Sequence, residues 1–156
     1  MQTVQSMRLE EEIKQGKGFQ SQRHKAVVNI MFTDGWVRGL LTEVLKPYGL
    51  TNQQYNVLRI LRGSSPEPLS TSSIRERMLD KMSDASRIVD RLYKKRLVDR
   101  KTCKADKRLV DIFITKEGLN TLEKIDSAMN SFHLNLDAIT EEEAETLNSL
   151  LDKLRG

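Results

Sequence analysis

The sequence predicts a mainly α-helical (α+β) fold: a winged helix-turn-helix flanked by N- and C-terminal helices suited to dimerisation. Three observations predict it. Between residues 74 and 115 the elements read as short helix, turn, second helix and β-hairpin, with almost no linker before the hairpin. Positive charge sits in the same place: residues 75–108 hold thirteen Lys/Arg against six Asp/Glu, a net of +7 in a chain whose total is +4. The rest therefore sums to −3, and a mild overall basicity hides a basic segment on a slightly acidic body. The flanking segments, finally, carry apolar residues at helical spacing, and the first has more of them than one buried face needs. A charge run alone reads equally well as a solvated surface. Its coincidence with a helix-turn-helix and a hairpin points to nucleic acid.

Residues 1–20 form a polar, charged arm interrupted by Gly16 and Gly18, with Val4, Met7, Leu9 and Ile13 as one weak apolar stripe. The arm reads either as packing on a partner subunit or as disorder. A helix is expected from about residue 21 to 46 on Val27, Ile30, Met31, Val37, Leu41, Val44 and Leu45, with Trp36 and Leu40 adding apolar surface. Pro47 and Gly49 end it. Thr51 with Gln54 three positions on forms a capping box for the next helix, which carries Tyr55, Val57, Leu58, Ile60 and Leu61. The segment 63–68 breaks that helix, and Leu69 is placed to pair singly with the later hairpin.

Ser70 or Thr71 caps the supporting helix of the motif, with Ile74, Met78 and Leu79, and Lys81-Met82 make the turn. The recognition helix starts at Ser83 or its neighbour. Ala85, Ile88, Val89 and Leu92 are its apolar side; Ser83, Asp84, Ser86, Arg87, Asp90 and Arg91 are its exposed side. Small polar residues let a helix enter the major groove closely, and a guanidinium can take guanine O6 and N7 together. Helix N-termini also attract phosphate. Asp84 would repel phosphate, so it either accepts from cytosine N4 or caps the helix. Leu97 and Val98 dock the first wing strand. The wing tip, Lys104-Ala105-Asp106-Lys107, is followed by a return strand over 108–115 with alternating apolar positions. Lys104, Lys107 and Arg108 there suit phosphates or the minor groove. A long helix follows on Leu119, Leu122, Ile125, Met129, Phe132 and Leu136. Thr140 before three glutamates caps a last one on Ala144, Leu147, Leu150, Leu151 and Leu154. Both stripes read as core or subunit interface.

Other classes are excluded on composition. At 156 residues, 38% hydrophobic and 31% charged, the chain suits one domain with a sizeable core. No apolar run approaches the roughly 20 residues that span a bilayer, and the first fifteen residues lack a secretory signal, so a cytoplasmic protein without a membrane partner is expected. The single cysteine, Cys103, forms no internal disulfide, and His24 and His133 lie far apart. No metal-ligand spacing, nucleophile–base set or phosphate-binding glycine loop is present, so neither a metal, a cofactor nor an enzyme is expected.

Several pieces taken together resemble the MarR family of multiple-antibiotic-resistance-type transcriptional regulators. They are Tyr48-Gly49-Leu50-Thr51 with Gln54-Tyr55-Asn56-Val57-Leu58; Ser83-Asp84-Ala85-Ser86-Arg87-Ile88-Val89-Asp90-Arg91-Leu92; and Asp106-Lys107-Arg108 followed by Ile112-Phe113-Ile114-Thr115-Lys116-Glu117-Gly118. The match runs in order over residues 21–156. One departure is the loop 64–68, of family-like length but with two prolines. The resemblance implies one intertwined homodimeric domain: dimerisation helices at 21–47 and 118–156, and a winged helix at 48–117 that reads a palindromic double-stranded operator. It implies a repressor more often than an activator, released by a small, frequently aromatic, effector. On the motif match, Ser83, Asp84, Ser86 and Arg87 are recognition-helix contacts, joined by Arg91 on the same face. Asp106 and Arg108 hold the wing and approach the minor groove. The plainer readings are that Asp90 and Arg91 simply pair within the fold, that Arg108 only pairs with Asp106, and that Trp36 and Phe132 are core. The competing function is a winged-helix protein-interaction or architectural DNA-binding module without a ligand. The exposed Lys94, Lys95, Arg96, Arg100, Lys101 and Lys104 argue against protein interaction.

Overall fold

The computed structural model describes residues 7–102, 110–131 and 138–156, and the chain falls into two compact units, Met1–Leu41 and Thr42–Gly156. The first unit holds α1 (Leu9–Glu12) and most of α2 (Gln22–Leu45). Leu9 is buried, and the Glu10 carboxylate takes a 2.6 Å ion pair from Lys25, fifteen residues on. Helix α2 forms where its periodicity places it, but its apolar residues stay open to solvent in the single chain: Val27, Ile30, Met31, Phe32 and Val37 are all exposed. Trp36, expected in the core, is 48% exposed. The spacing that makes it look internal is real, but the chain's own packing leaves it uncovered.

The second unit contains the winged helix. A 3-10 turn over Lys46–Tyr48 carries Pro47 near its start, and Gly49 then takes a left-handed φ of +61°. That conformation is open to glycine at little cost. It reverses the chain into α3 (Asn52–Ser64), where the capping box forms as expected: Thr51 Oγ1 accepts from Gln54 N at 3.2 Å and Gln54 Oε1 accepts from Thr51 N at 3.2 Å. Two orphan amides at the helix start are thereby satisfied. Gly63 sits in the last turn of α3 instead of breaking it.

Ser70 caps α4 (Thr71–Arg77), accepting from Ser73 N at 3.1 Å. Met78 is the residue at the helix end and is buried, but Leu79, expected beside it, points out and is 85% exposed. The cause is local. The Leu79 amide bonds to Asn56 Oδ1 at 3.0 Å, which draws the backbone off the helical path one residue after Met78. Helix α5 (Ala85–Lys94) follows, then strands β1 (Val98–Thr102) and β2 (Val110–Ile114), antiparallel and in register from Val98 opposite Ile114 to Thr102 opposite Val110. Leu69 pairs with Ile112 through two backbone hydrogen bonds of 2.9 and 3.1 Å, the single bridge the sequence placed there.

Helix α6 (Lys116–Ser131) is tied to the wing by Thr115, whose hydroxyl donates to the Arg96 carbonyl at 2.9 Å and accepts from Gly118 N at 3.0 Å. A Cβ on Gly118 would fall on the Leu97 carbonyl oxygen and against Ile114 Cγ1. Glycine in the Thr-Lys-Glu-Gly run is therefore a close-approach position. The core is formed by Leu45, Val57, Leu58, Leu61, Ile74, Met78, Leu92, Val98, Ile112, Leu122 and Ile125, all at most 1% exposed. Burying each such side chain stabilises the fold by roughly 1.5–3 kcal/mol before entropy is counted. Helix α7 (Glu141–Arg155) has the expected Thr140 cap, completed as a capping box by Glu143, yet buries none of its residues: Leu147, Leu150 and Leu154 are 49–61% exposed.

Candidate nucleic-acid interface

Helix α5 is strongly two-sided. Ala85, Val89 and Leu92 are buried and Ile88 is half-buried, while Ser86, Arg87, Asp90 and Arg91 face solvent. A residue every three or four positions thus anchors the helix, and the intervening ones are presented outward. The start is fixed by Asp84, whose Oδ1 accepts from Arg87 N at 3.1 Å. Asp84 therefore caps the helix, and its charge offsets an exposed backbone donor. Ser83 lies before the helix, half-buried, with its hydroxyl donating to Asp80 at 2.7 Å.

Four of the expected contact residues come together. Ser83, Asp84, Arg87 and Arg91 line an open cleft with Thr51, Gln53, Gln54 and Ile88. Ser86 is exposed but lies outside the lining. The cleft is where the N-terminal ends of α3 and α5 meet, and each end carries positive partial charge from its unpaired amides. Arg87 and Arg91 add two full charges and have no ion-pair partner among the described residues. The Asp84 carboxylate, which also lines the cleft, offsets part of this, and the two guanidiniums with the α3 end leave the balance in favour of an anion. The contributions of Thr51 and Gln53 were not foreseen. The capping box that marks them shows where α3 begins, but a local motif says nothing of what the helix end faces.

Asp90 does not pair with Arg91. Its carboxylate accepts from Arg100 Nη1 at 2.5 Å, across from α5 to β1. The same guanidinium lies 4.1 Å from the centre of the Tyr93 ring. Arg100 is thus held by a carboxylate and an aromatic face of α5, a geometry that suits a planar guanidinium. It braces the base of the wing on the recognition helix, and its charge is largely spent there. Lys101 sits 5.2 Å from the Phe113 ring, and Lys95 donates to the Gly49 carbonyl. The basic stretch is therefore partly structural, which leaves Arg87 and Arg91 as the cations set at the cleft.

The end of α5 is closed by paired reverse hydrogen bonds, Arg96 N to Tyr93 O at 2.9 Å and Leu97 N to Leu92 O at 3.1 Å. This geometry usually takes glycine at its left-handed position; here Arg96 occupies it with φ +60°. The wing-tip residues Lys104, Asp106, Lys107 and Arg108, together with Cys103, Phe132 and His133, lie outside the described residues. His24 is exposed and meets the Phe19 ring edge-on at 5.6 Å. Among the described residues no group of His, Cys, Asp and Glu could hold a metal ion, and no helix is long and apolar enough to cross a membrane.

Residues 48–109, the winged helix up to the second wing strand, match the sequence model of the MarR family. The chain is 35% identical over 86 residues to YhbI, an uncharacterised HTH-type transcriptional regulator of Bacillus subtilis strain 168; the match covers 54% of each chain. It is 27% identical over 119 residues to PapX, an HTH-type transcriptional regulator of Escherichia coli, covering 76% of this chain and 73% of that one. The matched region thus spans about half the length of YhbI. In three dimensions the chain is similar to the organohalide-sensing regulator RdhR-CbdbA1625 in its 2,4-dichlorophenol-bound form, with a TM-score of 0.78 and 23% identity over 90% of this chain and 85% of that one. At that identity the likeness speaks for the fold. The winged helix thus forms as its sequence motifs require, and across residues 48–109 those motifs are similar to the MarR family.

Proposed function

We propose that the protein is a sequence-specific DNA-binding transcriptional regulator that acts as a homodimer. The observation that carries this reading is the cleft where two helix N-termini converge with Arg87 and Arg91, beside a two-stranded wing braced to the recognition helix through Arg100. Phosphate is drawn to the cleft, and the exposed outer face of α5 is presented for base edges in the major groove. Ser83, Asp84, Ser86, Arg87 and Arg91 are the proposed contacts of the helix. Lys104, Lys107 and Arg108, with Asp106 holding the turn, are those of the wing. The dimer reading is supported by apolar side chains on α2 and α7 that the single chain leaves exposed. Residues 21–47 and 118–156 are accordingly proposed as dimerisation helices. Two copies would then hold two recognition helices about 34 Å apart, the spacing of successive major grooves on one face of DNA.

Repression relieved by a small aromatic ligand is the proposed mode of control, supported by the likeness to a regulator bound to 2,4-dichlorophenol. Such a ligand releases DNA only if it binds the two spacings of the recognition helices unequally.

The test is fluorescence anisotropy on DNA from upstream of the protein's own gene against random duplex, across a salt series. Tight binding to the upstream DNA that survives moderate salt and is lost in Arg87→Ala is the expected result. Equal, steeply salt-sensitive binding to both duplexes would mean phosphate attraction alone. The architectural or protein-interaction reading would then take its place.

A further inference from the structure

Two apolar side chains stand apart from every role assigned so far. Met82 is 94% exposed and Leu79 is 85% exposed, the highest values of any large hydrophobic residue among those described. The other strongly exposed apolar residues fall mainly on α2 and α7, where a second copy accounts for them. These two lie in the turn between α4 and α5, with Met82 two residues ahead of the capping Asp84. The turn is not slack. Asp80 accepts from Met82 N at 3.0 Å and from Ser83 Oγ at 2.7 Å, its carbonyl accepts from Ser83 N at 3.3 Å, and Leu79 N is bonded to Asn56. Lys81, between the two, turns its ammonium back to the Glu76 carbonyl at 2.5 Å. Several polar groups of the turn are thus bonded within it or to its neighbours, and two apolar side chains stand exposed just ahead of the recognition helix.

We propose that Met82 and Leu79 read thymine, by packing on C5-methyl groups in the major groove where α5 enters it. Thymine's methyl is the apolar feature that the major-groove edge of a base pair presents. An apolar side chain set against a base edge distinguishes thymine by that methyl. Met82 comes directly before Ser83 and Asp84, which line the cleft with Arg87 and Arg91, so the turn leads into the cationic end of α5. A flexible thioether adapts to an irregular apolar contact of this kind. This inference rests on the DNA-binding reading above and adds to it a base preference near the ends of the recognition helices.

The experiment uses the full chain and a duplex that it selects from a randomised pool. Each thymine is replaced singly by deoxyuridine, which removes only the methyl, and affinities are compared for the unaltered protein, Met82→Ala, Leu79→Ala and Met82→Leu. At one or two thymines per half-site the unaltered protein should lose about fourfold, the value of one buried methyl group. Met82→Ala or Leu79→Ala should show that loss already on the thymine duplex and be indifferent to uracil at the same position. Met82→Leu should stay sensitive. Both side chains are exposed, so the alanine variants should melt with the unaltered protein. Indifference of the unaltered protein to every uracil, or equal sensitivity in the alanine variants, overturns the proposal and leaves these residues to a protein partner. If the pool yields no preferred duplex, the DNA-binding reading itself fails, and that appears before any variant is made.

Discussion

The winged helix and the helices proposed for dimerisation are built from the same kind of periodic apolar sequence, yet the single chain treats them oppositely. In α3, α4 and α5 the stripe closes on itself, so that Leu58, Ile74 and Leu92 are fully buried. In α2 and α7 it stays open: Trp36 is 48% and Leu150 59% exposed. Periodicity states that a face must be covered. It does not state by which chain. The first region closes on its own contacts; the second leaves apolar surface of the kind that marks association, which the proposed dimer would cover.

Removing apolar contacts should separate the two regions most sharply. Leu58→Ala is expected to lower stability by about 3 kcal/mol, as large-to-small changes in a closed core do, measured by urea denaturation. Leu150→Asp should leave the winged helix folded and shift sedimentation from dimer to monomer. Loss of far-ultraviolet circular dichroism in Leu150→Asp would show instead that α7 belongs to the core of its own subunit.

Gly118→Ala tests how tightly α6 is seated against the base of the wing. The added Cβ meets the Leu97 carbonyl, a backbone atom that cannot swing away. A cost of about 2 kcal/mol is expected, in the range of overpacked sites. A neutral effect on the melting temperature would mean that α6 and β1 shift apart freely.

Arg96→Gly should act in the opposite direction. Arg96 holds a left-handed backbone at the end of α5, and relieving it should raise stability by about 1 kcal/mol. If stability rises while DNA affinity falls, the strained arginine is kept for the DNA. A fall in stability would show that its side-chain contacts outweigh the backbone cost.

The smallest effect belongs to the first unit. The hydrogen bond from Lys25 holds the Glu10 carboxyl below its ordinary value of 4.5. A lowered pKa means that the pair contributes above the ordinary carboxylate range and is lost as pH falls through the lowered value. Protection of the α1 amides, taken relative to the intrinsic exchange rate at each pH, should therefore fall on acidification below pH 4.5, and Glu10→Gln should show that lower protection already at neutral pH.

Local motifs were legible in proportion to how local their physics is. The Thr51 and Thr140 caps, the turn at Gly49 and the single Leu69 bridge follow from short-range hydrogen bonding and backbone freedom, and each stands where the residues place it. Of the candidate site, the amphipathic α5 was readable because its buried and exposed positions alternate within one helix. Asp90's partner was not readable, since the carboxylate reaches a strand ten residues on in preference to its neighbour. The outward turn at Leu79 depends on Asn56, twenty-three residues earlier. Glycine at 118 was recognised from its motif, but its reason, a carbonyl brought close by the wing, exists only in three dimensions.

Hydroxyl-radical footprinting of the selected duplex tests the central claim most directly, that each chain supplies one complete DNA-reading head and half of an interface. Two protected stretches related by a dyad, their centres about one helical turn apart, are the predicted result. A single protected stretch that stays single as protein is raised to saturation, or even protection along the duplex, would contradict it.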